Sequence, residues 1–141
     1  MDGRLDVLAD AATRAVRYAA SVDERPAAPS LDAVAGLAGF DEPLPDTGLD
    51  VADTIALLDD LGSPATMATT GGHYFGFVNG AVLPAALATS WLTSAWDQNA
   101  ALPAMSPVAD TLSAVARRWL VEVLGLPTET GVAFVTGATV A

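Results

Sequence analysis

The chain has no cysteine and no lysine. The first absence excludes disulfides, thiolate nucleophiles and sulfur ligands for a metal, and it fits a cytoplasmic setting. The second excludes a Schiff base on any side chain of these 141 residues, because the six cations are Arg4, Arg14, Arg17, Arg25, Arg117 and Arg118. His73 is the one histidine, and alone, without cysteine, it cannot complete a closed structural metal site. Charge is scarce as well. Charged residues are 16% of the chain, against about 25% in ordinary soluble domains. What charge there is sums to −11, with a pI near 4.1. That balance excludes the basic footprint needed to bind nucleic acid or an anionic membrane. Met1-Asp2-Gly3-Arg4-Leu5-Asp6 is mixed and charged, so no signal peptide is expected.

Apolar residues are plentiful: 52% of the chain, with a mean hydropathy of +0.41. This excludes a disordered tail, and 141 residues suffice for one core. So little polar coating predicts apolar faces that expect a partner, either more of the same chain or a second subunit. Genome composition or salt adaptation would produce the same acidic, alanine-rich bias. Gly76 to Trp96 is uncharged and long enough to span a bilayer. Asn79, Gly80, Pro84 and its hydroxyl residues instead make it a buried loop followed by a helix.

Periodicity and punctuation predict a mostly helical chain. From about Asp2 to Ala20, Leu5, Leu8, Ala12, Ala15/Val16 and Ala19 form an apolar stripe, with Asp2, Asp6 and Asp10 early and Arg14 and Arg17 late. Ser21 to Pro29 is a connector, Leu31 to Phe40 one or two helical turns, and Asp41 to Gly48 an extended loop. Asp50 caps a second helix with Val51, Ile55, Leu58 and Leu61 buried, stopped by Gly62 and Pro64. Thr66 to Asn79 is a glycine- and aromatic-rich ordered loop with room for a short strand. Pro84 opens a third helix that sets Ala88, Trp91, Leu92 and Ala95 on one side and fades at Asp97-Gln98-Asn99. Ser106-Pro107 starts a fourth, with Leu112, Val115, Trp119, Leu120 and Val123 as its stripe and Gly125 and Pro127 as its stop.

The last ten residues, Val132 to Ala141, read as a short apolar strand running into a Thr136-Gly137-Ala138-Thr139 turn. Such a turn serves either as an ordinary strand-to-turn connection or as a phosphate cradle, since small residues admit an anion to backbone N–H groups. A lone strand implies a sheet supplied by further sequence, so the chain is expected to be the front piece of something larger.

With these motifs in place, the chain resembles the group II pyridoxal-phosphate-dependent decarboxylases that act on aromatic amino acids, glutamate and histidine. The resemblance runs from Tyr74 to Ala141, and more loosely over the N-terminal helices. Its motifs are Tyr74-Phe75-Gly76-Phe77-Val78 with Pro84-Ala85-Ala86-Leu87, then Ser106-Pro107, then Trp119-Leu120 with Leu124-Gly125-Leu126-Pro127, then Val135 to Ala141. It implies an α/β fold: the N-terminal, mostly helical part of a fold-type-I transferase, ending at the first strand of the large domain. Residues 1–70 would be a helical dimerisation segment and 71–141 the start of the cofactor-binding domain.

The resemblance further implies that Gly137, Ala138 and Thr139 hold the phosphate of pyridoxal 5′-phosphate. Phe77, Val78 and Gly80 would line the pocket of an amino-acid substrate. Asn99 and Ala101 would lie in a loop reaching the partner's active site in a homodimer. The Schiff-base lysine, the ring-stacking histidine and the acidic partner of the pyridine nitrogen have no counterpart here, so no catalytic residue is assigned. His73 and Asn79 depart from the family pattern, which often has His-Pro ahead of the aromatic loop and an apolar residue or proline at the second position. His73 reads as a structural loop residue, with a proton donor or substrate contact as the alternative. Asp97-Gln98-Asn99 reads as a helix end, the three tryptophans as core or interface anchors, and Arg117-Arg118 as a solvated or ion-paired face. A non-catalytic acidic helical module that dimerises, or a gene remnant, is the alternative to a decarboxylase.

Overall fold

A computed structural model describes residues 3–141. The chain is mainly helical, and no strand occurs among the described residues. It divides into two compact units, Met1–Leu83 and Pro84–Ala141.

In the first unit, α1 spans Gly3–Ser21 and runs into a 3-10 turn at Val22–Glu24. Asp2, where the sequence starts this helix, lies outside the described residues. The short helix α2, Leu31–Gly36, is capped by Ser30, whose hydroxyl accepts from the Ala33 N–H, and a 3-10 turn continues it over Leu37–Phe40. The helix α3, Val51–Leu57, begins at Asp50, whose carboxylate accepts from the Ala52 N–H as the sequence predicts. Gly62 does not end it. The backbone stays helical through a π turn at Leu58–Gly62 into α4, Ser63–Ala65. The run ends at Ala65, one residue past Pro64, which has no N–H to continue it.

The buried centre of this unit is small: Val22, Ala68 and Gly71. It forms where the connector after α1 meets the loop after α4. The Ala68 N–H donates to the Ala27 carbonyl at 3.1 Å, and the Gly72 N–H to the Asp23 carboxylate at 2.9 Å. Against expectation, Leu5, Leu8 and Val16 of α1 and Val51 and Leu58 of the second helical run are exposed, while Ile55 and Leu61 are half-buried. The side of α1 carrying Val7, Ala11, Arg14 and Tyr18 turns inward instead. Ion pairing decides this orientation, as described below.

The second unit holds α5, Pro84–Trp96, and α6, Pro107–Val123. The Gly76–Trp96 stretch is indeed loop followed by helix, but α5 is not buried. Trp91, Leu92 and Trp96 are exposed, and only Leu87 is half-buried. Among the described residues no helix is long and apolar enough to cross a membrane. In α6, Ser106 is the N-cap, 1% exposed, its Oγ accepting from the Ala109 N–H. The helix ends as its sequence demands. Gly125 takes φ +63° and donates to the Glu122 carbonyl at 3.1 Å, while Leu126 donates to the Val121 carbonyl at 3.0 Å. This is the paired Schellman arrangement, which satisfies two orphan carbonyls. The stripe is misplaced: Leu112, Trp119, Leu120 and Val123 are exposed, Val115 is half-buried, and Val121 is the buried residue. Residues Thr130 and Val132 are half-buried beside that end of α6.

The predicted strand at Val132–Val135 does not form; the segment has no regular structure, and neither does the loop over Thr66–Asn79 beyond turns. A strand exists only by exchanging hydrogen bonds with a neighbour, and no described segment offers one.

Candidate functional site

The turn at Thr136–Thr139 is open and exposed throughout. Gly137 is extended, at φ 172° and ψ 161°, and Ala138–Val140 form a single 3-10 turn. The Val140 N–H donates to the Gly137 carbonyl at 2.9 Å and the Ala141 N–H to the Ala138 carbonyl at 3.2 Å. Among the described residues, no acceptor is bonded to the N–H groups of Ala138 or Thr139. A Cβ built on Gly137 meets nothing within 4 Å. The turn therefore combines two free donors with space beside a small residue, and the Thr139 side chain adds a hydroxyl.

The aromatic loop puts its side chains outward. Phe77 and Val78 are 90% and 105% exposed, and both hold left-handed backbone angles, φ 53° and 59°. This is unusual for a β-branched residue such as Val78. Gly76 sits under the ring of Tyr74, since a Cβ there would lie 3.3 Å from the tyrosine hydroxyl. The Asn79 N–H closes the turn onto the Gly76 carbonyl at 3.2 Å. Gly80 and His73 are exposed.

After α5, Asp97 is left-handed at φ 48°, and the Asn99 side chain accepts from the Ala101 N–H at 3.0 Å. Asn99 and Ala101 are thus joined in one local turn, both exposed. Phe77, Val78 and Gly80 belong to the first unit; Asn99, Ala101 and Gly137–Thr139 belong to the second.

The densest polar cluster was not foreseen. Arg14 pairs with Asp10 at 2.8 Å, Asp59 at 2.9 Å and Asp60 at 3.4 Å. Arg17 also pairs with Asp59, and the Ser63 hydroxyl donates to it at 2.5 Å. The Ser63 hydrogen bond, then Arg14 and Arg17, hold the Asp59 carboxyl below its ordinary value of 3.8. Arg14 is held above its already high value, by Asp10 first and then Asp59. The signal was present in the sequence as arginines three apart on α1 and adjacent aspartates at 59 and 60. Nothing in periodicity says that the two segments meet. Among the described residues no group of histidine and acidic side chains could hold a metal ion.

No protein-family model, curated protein or solved structure matches the chain.

Proposed function

We propose that the chain is the N-terminal part of a pyridoxal-phosphate-dependent amino-acid decarboxylase of the fold-type-I class, working as a homodimer. The observation that carries this is the order of four motifs: the aromatic loop before Pro84, the Ser106-Pro107 cap, the Gly125-Leu126-Pro127 stop, and the Thr136-Gly137-Ala138-Thr139 turn. Two of them coincide with a true helix start and a true helix stop. The turn suits the phosphate end of the cofactor, because Ala138 and Thr139 have N–H groups to donate and Gly137 leaves room. The carbonyl end has no partner in these residues, which lack lysine.

When bound, the cofactor draws electrons from the amino-acid α-carbon and so labilises its carboxylate. The tasks of this chain are binding and shaping. Gly137, Ala138 and Thr139 hold the phosphate, Phe77, Val78 and Gly80 line the substrate side, and Asn99 and Ala101 reach the partner's active site. The test is to mix the isolated chain with pyridoxal phosphate and reduce it with borohydride. No adduct on a side-chain amine and no CO₂ release above free cofactor are expected, and turnover by the isolated chain refutes the proposal.

One observation favours the non-catalytic module instead: Leu5, Leu8 and Val16 stand exposed on α1 with no need of a cofactor. An open frame downstream that encodes a lysine-bearing motif decides for the enzyme; a gap there decides for the module.

A further inference from the structure

The join between α1 and the helical run Val51–Ala65 is ionic at its centre. Asp59, its side chain 13% exposed, accepts from Arg14 and Arg17 of α1 and from Ser63 of its own run. Asp10 steadies Arg14 from one turn back on α1, and Asp60 adds a longer contact at 3.4 Å. Arg25 lines the same recess as Arg17 and Asp59 and completes the charged groups around it. The apolar contribution here is slight. The half-buried apolar side chains are Val7, Ala11, Ala12 and Ala15 on α1 and Ile55 and Ala56 on α3, while Leu5, Leu8 and Leu58 lie exposed. Apart from Val7 and Ile55 these are alanines, which remove little area from water, so burial adds to the ionic contacts without replacing them.

The other end of α1 is tied differently. The Arg25 guanidinium lies 4.9 Å from the Tyr18 ring centroid and donates to the Ser63 carbonyl at 2.8 Å and the Pro64 carbonyl at 3.2 Å. Tyr18 and Thr66 share a hydroxyl hydrogen bond at 2.8 Å. Val22, between Tyr18 and Arg25, is buried, and its carbonyl lies where a Gly71 Cβ would come within 2.9 Å. This end is held by stacking, carbonyl contacts and close packing.

We propose that α1 is a strap, latched to the Val51–Ala65 run by Asp59 and hinged at Ser21–Arg25. Removing the carboxylate swings α1 away as an intact helix, the Tyr18–Thr66 hydrogen bond giving way, while the Arg25 and Val22 contacts of the hinge stay in place. Released, α1 bares its own alanine-rich face and the Ile55–Ala56 surface of α3.

The absence of cysteine makes the test direct. Exposed Thr13 and Thr54 are replaced as Thr13→Cys and Thr54→Cys, spin-labelled, and the distance between them is measured by pulsed electron resonance. In low salt the distribution is expected to be narrow. Asp59→Asn should widen and lengthen it with helix content unchanged. Asp60→Asn, at the longer contact, should leave it narrow. A narrow distribution for Asp59→Asn overturns the proposal. So does loss of helix content together with the distance, because α1 would then not be a separately held element.

Discussion

Gly71 marks where the first unit comes closest to itself. A methyl group there would sit 2.9 Å from the Val22 carbonyl and 3.3 Å from that of Ala68, and backbone cannot step aside. Gly71→Ala is therefore expected to lower stability by about 1–3 kcal/mol, the usual cost of overpacking, read from the urea midpoint. Gly39→Ala makes a nominally closer contact, 2.8 Å to Leu61 Cδ1, but with the end of a flexible side chain. Its loss should be smaller, and the reverse order would contradict this packing. Asp59 has a pH signature. Its folded-state value lies below the ordinary 3.8, so its contribution is fully present above that pH and is lost as pH falls through the lower folded value. Asp59→Asn should be less stable at neutral pH and should flatten the acid limb of an unfolding titration. Gly137 makes a different point. Its backbone is extended and its surroundings are open, so Gly137→Val should fold as well as the parent. In the proposed full-length decarboxylase it should lower pyridoxal phosphate affinity by orders of magnitude, because the side chain would take the phosphate's place. Thr139→Ala should be milder, about 1.5–3 kcal/mol for one hydrogen bond to a charged group. Cofactor titration by absorbance ranks the two.

Element boundaries were readable wherever their cause is local. Asp50 and Ser106 cap, and Gly125 with Pro127 stops, because each acts on backbone groups within four residues. Ser106→Ala should cost about 0.5–2 kcal/mol, and its place in a buried position puts it toward the upper end. Gly125→Ala should cost about 1–2 kcal/mol for a non-glycine residue held at positive φ. Faster amide exchange confined to the corresponding end of α6 would check each. The helix faces were not readable, and neither was the strand. Leu5 and Leu8 share a stripe on α1, yet Arg14 turns that helix toward Asp59, 45 residues away. Gly62 looks like a stop, but a π turn carries the helix past it, and the run ends only at Ala65, next to Pro64. At Val132–Val135 the strand composition is sound and the pairing partner is missing.

For the whole molecule, exposed leucines and valines are frequent in both units, joined by the three exposed tryptophans of the second, while fully buried apolar side chains are few. Despite a net charge of −11, the chain should associate as concentration rises, and sedimentation should show this. A sharp, monomeric two-state melt at low concentration would be the opposite result. The candidate site was readable only as a series of local turns. The Asn99–Ala101 turn and the Gly137–Val140 turn form as separate pieces. The lysine that the proposed decarboxylase requires is not among these 141 residues. The most direct measurement is therefore made on the native gene product, captured with an antibody against α6, reduced with borohydride and analysed by mass spectrometry. A decarboxylase of this class predicts a protein well above 14.3 kDa, carrying a reduced pyridoxyl group on a lysine outside this sequence. A native product of 14.3 kDa with no bound cofactor would contradict it.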